Sequence, residues 1–564
     1  MAFAIGIDFG TTNSLCTWLD GDKPSLIPNS RGERSTPSVV AISPSGQVLV
    51  GESAKNQAIL NPESTVAGIK RLLGSEGRLS LGGRSWRVEE IVAFVLGSLR
   101  KDAERYLERE VGAAVITAPA HFSERERRAL VEAGSIAGLE VLRVVNEPTA
   151  AAVARSWNTR EAEAKGTVLV YDFGGGTLDV TVLSQTGREC RVLASRGDGR
   201  LGGADLDAEL CRLAASAFRR DYGLEPDSDR ILSQTLADAA ERAKIELSER
   251  EEATIGIPFA VVGAVDGRGG RVVNPSLTVT RPMFEEIALP YVERSLRLAE
   301  LALAEAGLEA SQVDALVLSG GSSRIPLVRR LIAERFGLRA EGRVSPAEIV
   351  ALGAAAWTGI LAGSERLKVI DVVSRTYGVE IDGGLFVPLI RKNSPVPASS
   401  SRIFTTVADG QDSVEIHVLQ GESREAGLDL SLGRFLLTGI AAAPKGKPRI
   451  RVDFGIDESD ILHVSALDLD TGKAQAISIA DLDREGEGKD GLLRKTAALA
   501  ERLEALRKGL VLERGLEAEL DELCERARAA ALGPVAEDEL RLLKVELESL
   551  VGELLARGAE RGGR

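Results

Sequence analysis

"IGIDFGTTNS" (residues 5–14) and "VYDFGGGTLDV" (residues 170–180) are two versions of one pattern. Each is an apolar strand that ends in an aspartate and runs into a glycine-rich turn containing threonine. Such a turn exposes successive backbone N–H groups that can cradle a phosphate, and a Cβ at the glycines would block its close approach. The carboxylates of Asp8 and Asp172 stand where they can hold Mg²⁺ against phosphate oxygens. The repeat therefore predicts two facing loops that grip a polyphosphate, rather than two ordinary hairpin turns.

The predicted loop residues are Gly10, Thr11, Thr12 and Asn13 in the first turn, and Gly174, Gly175, Gly176 and Thr177 in the second. A third glycine turn, "LVLSGGSSRIP" (residues 316–326), again follows a strand and precedes a helix. Its Gly320 and Gly321 leave room for a flat base or ribose, Ser322 follows them, and Arg324 is placed to stack on a purine. The sequence lacks the common GxxxxGK[ST] phosphate loop, so the three turns predict a nucleotide site of another type.

Composition and charge narrow the class of protein. The chain has 564 residues, which is enough for several domains, and a net charge of −14, which disfavours a broad nucleic-acid surface. Its four cysteines show neither disulfide nor metal-site spacing, so we expect reduced thiols. The N-terminus lacks a basic leader, and no apolar run approaches the roughly 18 residues of a membrane span. We therefore expect a cytoplasmic protein whose partners include neither nucleic acid nor a membrane.

The character of the sequence changes along the chain. Strand and helix patterns alternate over residues 1–363, which predicts an α/β domain, and residues 364–373 form a linker. Residues 374–482 are strand-rich, and alternating stretches such as "RIRVDFGID" and "SVEIHVLQG" predict an antiparallel sheet with one buried face. Residues 487–557 are helical and residues 558–564 form a tail. The helical part carries leucine stripes at Leu499, Leu503, Leu506 and Leu510, and at Leu543, Leu547, Leu550 and Leu554.

A series of longer motifs carries a family resemblance. In order, these are "GIDFGTTNS", "AGIKRLLG", "VVNEPTAAA", "VYDFGGGTLDV", "GDGRLGGADLD", "AAERAKIELS", "LSGGSSRIP", "HVLQGESREA" and "ILHVSALDLDTGKAQ". Together they resemble the seventy-kilodalton heat-shock chaperones of the DnaK type, over about residues 1–482. The resemblance implies an actin-like (ribonuclease-H-like) ATPase domain of two lobes, then a β-sandwich that binds peptide, then an α-helical lid. Two related lobes explain the repeated turn, and the chain is similar to a shortened, divergent bacterial paralogue.

The resemblance implies ATP hydrolysis with ATP/ADP and Mg²⁺ as cofactors, and it leaves K⁺ open as a second ion. In the family's terms, Lys70 orients the attacking water and stabilises charge at the γ-phosphate. Asp8 and Asp172 position the metal, partly through water, the Thr177 hydroxyl lies near that phosphate, and Glu147 links the metal site to the rest. Such a set suits phosphoryl transfer, which needs positioning and charge neutralisation more than covalent chemistry.

The resemblance also assigns contacts on the nucleoside side. Glu241, Lys244 and Ser248 match its adenosine contacts, and their spacing of three and four places them on one helical face. Gly202 and Gly203 belong to the same nucleotide site. Without the resemblance, the three polar residues would be interpreted as a solvated helix face.

Coupling and partners follow from the resemblance as well. Pro119 and Arg127 match residues that relay the nucleotide state, and Arg143 and Asp371 match positions that engage a J-domain co-chaperone. The implied partners are unfolded or extended client polypeptides and a J-domain protein, and a nucleotide exchange factor is left open. Groove-lining positions for an extended apolar peptide are matched by Val379, Phe404, Val414 and Ile416. The alternative for each of these four is the ordinary core of a half-buried sheet.

Some positions depart from the family's pattern. Lys368 interrupts the apolar linker in "ERLKVID", which puts the strength of interdomain coupling in question. Asp382 replaces an apolar residue that arches over the peptide, opposite Val407, and His121 replaces an aromatic hydroxyl residue. We expect His121 to be a structural neighbour rather than a catalyst. The final "RGAERGGR" also lacks the acidic motif that docks repeat-containing partners.

The predicted function is that of an ATP-dependent chaperone whose peptide affinity is switched by ATP binding and hydrolysis. The alternatives are a small-molecule kinase of the actin-like superfamily and a scaffold that senses nucleotide without hydrolysing it. A kinase has no use for the sheet after residue 374, and the presence of Lys70, Asp172 and Thr177 argues against the scaffold.

Overall fold

The computed structural model describes residues 3–75, 77–157, 165–262, 270–340, 344–459, 461–478 and 514–532, and the single positions 496, 500, 503, 507, 543, 547 and 550. The chain divides into two compact units. The first comprises Met1–Gly378, Pro388–Asp412 and Gly439–Ala476, and the second comprises Val379–Val387, Ser413–Thr438 and Ile477–Arg564.

The strands in chain order are β1 (Ala4–Asp8), β2 (Asn13–Asp20), β3 (Lys23–Ile27), β4 (Thr36–Pro37), β5 (Val40–Ile42), β6 (Val48–Val50), β7 (Thr65–Val66), β8 (Arg78–Leu81), β9 (Arg84–Arg87), β10 (Ala113–Ala118), β11 (Glu140–Asn146), β12 (Lys165–Phe173), β13 (Leu178–Thr186), β14 (Glu189–Asp198), β15 (Glu252–Gly256), β16 (Ala260–Val262), β17 (Arg271–Val273), β18 (Ser276–Thr280), β19 (Ala315–Ser319), β20 (Lys368–Ile370), β21 (Tyr377–Ile381), β22 (Leu385–Ile390), β23 (Ala398–Phe404), β24 (Ser413–Gln420), β25 (Leu430–Thr438), β26 (Ile450–Ile456), β27 (Leu462–Asp468) and β28 (Ala474–Ser478). The helices are α1 (Glu52–Gln57), α2 (Val88–Leu107), α3 (Glu124–Ile136), α4 (Glu147–Trp157), α5 (Gly203–Tyr222), α6 (Arg230–Leu247), α7 (Arg281–Glu305), α8 (Pro326–Phe336), α9 (Ile349–Leu361) and α10 (Arg514–Leu532).

Two sheets in the first unit repeat one local arrangement. In the first lobe (residues 3–157), the order is β11-β10-β1-β2-β3, with β1 antiparallel to β2 and parallel to β10. In the second lobe (residues 165–340), the order is β19-β12-β13-β14, and β20 from later in the chain adds to the sheet at β14. Strand β12 is antiparallel to β13 and parallel to β19. Both hairpins follow the pattern of an apolar strand ending in aspartate, so the repeat seen in the sequence is a repeat of topology. The predicted α/β class and its two lobes are confirmed.

The lobes owe their stability to buried apolar strands covered by helices. Ile5, Ile7 and Phe9 are fully buried on β1 and just beyond it, and β10 is buried along its whole length. Helix α9 packs against helix α4 so closely that Gly353 has no room for a side chain: a Cβ there would lie 1.9 Å from the Ala150 carbonyl oxygen. A parallel strand covered on both faces is nearly continuously apolar, as β10 is apart from Thr117, whose hydroxyl donates to Asp8.

The predicted linker forms the edge strand β20, which pairs in parallel with β14. Leu367 and Val372 are buried on either side of this strand, whereas the side chain of Lys368 is 72% exposed, with its ammonium 3.6 Å from Glu189. The lysine that departs from the family's apolar pattern therefore faces solvent and puts no charge into the core. Residues 364–373 as a domain boundary stay a prediction.

Two antiparallel sheets follow the linker, as predicted for a β-sandwich. Strand β26 of the sheet β23-β26-β27-β28 lies in the first unit. Its Ile450, Val452, Phe454 and Ile456 are buried, and the residues between them are half-buried. The predicted one-face burial of "SVEIHVLQG" is wrong for the second half of β24, because residues 416–420 are all buried. His417 explains part of this: it lies on the supposedly exposed face, where its ring nitrogens contact Glu380 (2.5 Å) and Ser431 (2.8 Å).

Helical structure in the second unit includes α10, whose Leu520, Leu523, Cys524 and Ala527 are buried with Leu503, Leu543, Leu547 and Leu550 in one cluster. The leucine stripes are thus confirmed at four positions. Leu499, Leu506, Leu510 and Leu554 lie outside the described residues, as do most of the predicted lid (487–557) and the whole predicted tail (558–564). Where the helices are described, none has the length and apolar character that crossing a membrane requires.

Candidate active site

The three glycine turns meet at one cavity of about 420 Å³ in the first unit. The predicted residues that line it are Asp8, Gly10, Thr11, Thr12, Asn13, Lys70, Glu147, Asp172, Gly174, Gly175, Thr177, Glu241, Lys244, Ser248, Gly320, Gly321, Ser322 and Arg324. Gly176, Gly202 and Gly203 do not line the cavity but lie directly behind its wall. The structure therefore brings together, from positions far apart in sequence, the residues predicted to bind nucleotide.

The two predicted phosphate loops face each other at a distance that leaves no room for a Cβ at their glycines. A Cβ at Gly175 would lie 2.3 Å from the Thr12 hydroxyl, and one at Gly176 would lie 2.6 Å from the Thr11 hydroxyl. Gly202 packs behind them, where a Cβ would lie 2.7 Å from the Gly175 backbone. Side chains at these positions would push the loops apart, which explains why the positions are occupied by glycine.

Lys70 lies at the centre of a group of buried carboxylates. Its side chain is only 2% exposed and forms an ion pair with Glu147, which α4 presents from its first turn. Burial and the nearby Asp8 carboxylate raise the pKa of Glu147 to about 7, against the opposing effect of Lys70. Burial, followed by repulsion from Glu147, raises the pKa of Asp172 well above its ordinary value. The site thus holds more negative charge than Lys70 can balance.

A divalent cation would relieve this excess. Asp8 and Asp172 offer the hard oxygen ligands that Mg²⁺ prefers, and burial raises the pKa of Asp8 too. Within the described ranges, no group of three or more histidine, cysteine, aspartate or glutamate side chains is arranged to hold a metal.

The predicted nucleoside end of the cavity is lined by α6 and the residues just after it. Glu241 and Lys244 lie on α6, and Ser248 follows its last residue, so all three share the predicted face. Glu241 also forms an ion pair of 2.7 Å with Lys55 of the first lobe, which ties the two lobes together beside the cavity. Arg324 donates a hydrogen bond to Ser345 (3.1 Å) at the same end. Sequence reasoning missed Lys55, because no motif links it to a partner 186 positions away.

Sequence reasoning also missed Arg71, although it follows Lys70 in the same motif. Its guanidinium donates to the Gly176 carbonyl oxygen at 2.6 Å and lies 3.2 Å from Asp205. Asp205 in turn accepts a hydrogen bond from the Gly202 N–H. Arg71 of the first lobe thus contacts the back of the glycine turn predicted to bind phosphate in the second lobe.

The predicted coupling residues form a chain of contacts on the other side of the first lobe. Arg127 is buried and donates to the Asn146 side chain (2.6 Å), which donates to Asp371 (3.1 Å). Pro119 is buried at the end of β10 and accepts a hydrogen bond from the Phe122 N–H. Asn146 is a link that sequence reasoning did not single out, although it stands beside Glu147 in the motif "VVNEPTAAA".

Arg143 and the edge of α3 contact the sheet β23-β26-β27-β28 within the first unit. Arg143 stacks over Trp357 at 4.5 Å and donates to the Glu458 carbonyl oxygen at 2.9 Å. Arg128 donates to the Leu462 carbonyl oxygen (2.9 Å), and Glu124 accepts from the Leu462 N–H (3.2 Å). These contacts join the first lobe to the start of strand β27.

His121 does not line the cavity. Its Nδ1 lies 3.0 Å from the Asp179 carboxylate of the second lobe. Burial disfavours the charged imidazole, but Asp179 outweighs burial and the pKa of His121 is raised. This position agrees with the prediction of a structural neighbour.

The predicted groove residues differ in burial. Val379 and Ile416 are 3% and 4% exposed, whereas Val414 and Phe404 are half-buried. Phe404 belongs to β23 in the first unit, and the other three lie in the second unit. Asp382 is exposed, and Val407 is 50% exposed. Burial as deep as that of Val379 and Ile416 is also what a sheet core gives, so all four stay predictions.

Comparisons with known proteins agree with this architecture. The family model described as Hsp70 protein matches residues 4–79 and 78–529. The chain is 45% identical over 483 residues to a chaperone protein DnaK from Thermotoga neapolitana, covering 85% of this chain and 80% of that protein. It is 43% identical to the DnaK of Thermotoga petrophila (92% and 87% covered) and 40% identical to that of Thermosipho melanesiensis (98% and 92% covered).

Proposed function

The chain belongs to the Hsp70 family, and from that premise we propose how its cavity and its sheets perform the family's work. It is an ATP-dependent molecular chaperone of the DnaK type, an ATPase that binds unfolded polypeptides. The observation that supports our assignment of the site is that three glycine turns and the buried Lys70–Glu147 pair surround one cavity. No observation favours the small-molecule kinase or the scaffold.

In the proposed mechanism, the backbone N–H groups of the two phosphate loops bind the polyphosphate of ATP, and the Thr177 hydroxyl lies near its γ-phosphate. Lys70 orients the attacking water and offsets charge on the transferred phosphoryl group. Asp8 and Asp172 would hold Mg²⁺, which supplies further neutralisation of the phosphates when bound. Glu147 fixes the Lys70 ammonium through the ion pair. K⁺ stays a prediction as a second ion.

The nucleoside is proposed to lie between Gly320–Gly321 and the α6 residues Glu241, Lys244 and Ser248. Bound nucleotide would then contact both lobes, since the loops come from β1–β2 in the first and from β12–β13 and β19 in the second. Such a ligand favours the arrangement in which the lobes are close, because it binds that arrangement more tightly than an open one.

We assign coupling to the path from Pro119 and Arg127 through Asn146 to Asp371 and the linker strand β20. A change in lobe closure would alter the strand pairing of β20 with β14, and through it the sheets that follow. Arg143 and Asp371 are the proposed contacts of a J-domain co-chaperone. A nucleotide exchange factor and the positions of the domain boundaries stay predictions.

The test is release of a fluorescent, extended apolar peptide from the full-length protein, with and without ATP, alongside phosphate release. We expect ATP to weaken peptide binding by about 5- to 150-fold, the range of a coupling of about 1–3 kcal/mol, and therefore to release bound peptide. Phosphate release without peptide binding, or binding indifferent to ATP, would contradict the proposal.

Val414→Phe tests whether the half-buried end of β24 faces the peptide. The larger ring should fill the groove, so we expect peptide affinity to fall by about 10-fold or more, the loss expected when an apolar contact worth about 1.4 kcal/mol or more is blocked. Fluorescence anisotropy with the same peptide measures this. The matched control is Glu415→Phe, which adds the same ring on the opposite face of the strand and should leave affinity unchanged. Unfolding of Val414→Phe, with Glu415→Phe folded, would place Val414 in the core instead.

Asp371→Asn tests the proposed J-domain contact. The substitution keeps the shape of the side chain but removes the negative charge that would contact the J-domain protein. We therefore expect J-domain stimulation of ATP turnover to fall by about 10-fold, within the usual range of such couplings. The readout is the ratio of stimulated to basal phosphate release. Glu365→Gln, an exposed carboxylate in the same linker, is the control and should keep the full ratio. An undiminished ratio in Asp371→Asn would remove this residue from the contact.

A further inference from the structure

Lys244 is held in one position by the start of helix α5. Its ammonium lies 2.6 Å from the Asp207 carboxylate and donates to the Gly203 carbonyl oxygen at 3.0 Å. Its side chain is only 12% exposed, yet it lines the cavity. An ammonium has three N–H donors, so these two contacts leave one for a ligand.

The place where Lys244 is held is the junction of two of the glycine turns. A Cβ at Gly203 would lie 2.8 Å from both the Lys244 ammonium and the Ser322 hydroxyl. Ser322 belongs to the third turn, whereas Gly203 donates its N–H to Gly174 of the second phosphate loop. The cation therefore stands between the predicted polyphosphate site and the predicted nucleoside site, where the ribose and the first phosphate of a nucleotide would lie.

Asp207 itself does not line the cavity, and its position is costly. Its side chain is 20% exposed, and its second oxygen, Oδ1, is buried without a hydrogen-bond partner in the part of the chain that the structure describes. Burial raises the pKa of this carboxyl, against the effect of Lys244. A carboxylate beside an anion-binding site also weakens the attraction of Lys244 for phosphate. Asp207 therefore lowers the stability of the fold and repels the phosphates of a nucleotide. Its contact with Lys244 suggests a compensating role, which is to hold the ammonium in place.

We propose that Asp207 is a positioning residue for nucleotide binding: it fixes the Lys244 ammonium at the junction of the phosphate loop and the nucleoside turn. This inference rests on the proposed nucleotide site. Without Asp207, Lys244 must order its long side chain each time a nucleotide binds, and that ordering costs affinity.

The experiment measures the dissociation constant of ADP by titration calorimetry for full-length wild type, Asp207→Asn, Lys244→Met and the double variant. We expect Asp207→Asn to weaken ADP binding by about 5- to 10-fold, consistent with about 1 kcal/mol for one immobilised side chain. In the Lys244→Met background, the same substitution should have no effect, because the side chain it positions is gone. A merely structural role would weaken binding equally in both backgrounds.

Glu209→Gln is the matched control. Glu209 lies two residues along α5, is 25% exposed and pairs with Arg212 at 2.9 Å, away from the cavity. Its amide variant should bind ADP like wild type. Under saturating ATP, Asp207→Asn should retain its single-turnover rate within about twofold, since Lys244 is remote from the γ-phosphate end, so the effect falls on binding rather than on turnover.

Tighter ADP binding by Asp207→Asn, or an equal loss with and without Lys244, would overturn the inference. If Asp207→Asn does not fold, Asp207→Glu decides, because it keeps the ion pair and should bind ADP within about threefold of wild type; a larger loss would refute the positioning role. Absence of ADP binding by wild type would instead refute the proposed nucleotide site, so the two failures are distinguishable.

Discussion

Replacing Lys70 by alanine is expected to lower the single-turnover rate of ATP hydrolysis by about 100- to 1,000-fold, the usual cost of removing one group that stabilises transition-state charge. The ammonium is buried, pairs with Glu147 and lies 5.8 Å from the centre of the Phe122 ring. No water can take its place with the same charge. ATP should still bind, because the glycine loops and the α6 residues supply most of the contacts. Rapid-quench measurement of the first turnover, with ATP affinity determined separately, tests both halves.

The risk in this variant is the carboxylate left behind. Glu147 would lose its cation in a buried site, but its pKa already stands at about 7 and would rise further, so it can take up a proton instead of remaining charged. We therefore expect Lys70→Ala to remain folded at neutral pH. Lys101→Ala, an exposed lysine on α2, is the control and should hydrolyse ATP like wild type. Unchanged turnover in Lys70→Ala would remove this residue from the mechanism.

The sequence was sufficient to predict that the three turns lie close together. Each turn follows a strand, so each lies at the carboxyl end of a strand, and these ends face one site. The contacts that hold the turns in place could not be predicted in this way. Two of these contacts join the lobes: Lys55 with Glu241, and Arg71 with Gly176. The sequence around one residue of each pair does not identify its partner. These contacts depend on how the two lobes pack against each other, and local sequence patterns carry no information about that packing.

The alternation of apolar and polar residues predicts the burial of a strand only where one face of the sheet is exposed to solvent. It predicted β26 correctly, but it failed for the second half of β24, where His417 is covered by polar partners on the other face. A histidine reads as polar in the pattern, although two satisfied ring nitrogens let it be buried. The linker shows a different limit of the pattern. Lys368 is polar where the family's linker is apolar, but on the edge strand β20 its side chain is exposed, so this lysine costs little stability. Its effect on interdomain coupling stays a prediction.

Asp172→Asn is expected to abolish most of the hydrolysis and yet to stabilise the nucleotide-free protein. The carboxylate is buried, and burial together with repulsion from Glu147, Asp179 and Asp8 raises its pKa well above the ordinary value. Its charge is therefore a strain on the folded state until a cation binds. An amide removes the strain, and it also removes a proposed Mg²⁺ ligand, so turnover should fall by about 100-fold or more. Hydrolysis and stability are expected to change in opposite directions, because the Asp172 charge favours binding of the cation but destabilises the folded protein in its absence.

The pH dependence identifies this cause. Between the ordinary pKa of an aspartate and the raised value, the folded protein holds a proton that the unfolded chain does not, so stability falls as pH rises through that window. The advantage of Asp172→Asn should thus be largest at pH 8 and vanish near pH 4. In chelator-containing buffer, we expect the thermal midpoint at pH 8 to rise by about 2–4 °C, which corresponds to about 1 kcal/mol in a domain of roughly 150–250 residues.

Asp198→Asn is the control of opposite sign for this measurement. Asp198 lies 2.6 Å from Arg294, so its charge is paired in the folded state and its loss should lower the midpoint. A lower midpoint in Asp172→Asn as well, or a rise that persists unchanged at pH 4, would mean that the Asp172 charge is already balanced without a cation. The carboxylates around Lys70 would then be structural partners, and the case for Mg²⁺ at this edge of the sheet would have to rest on other residues.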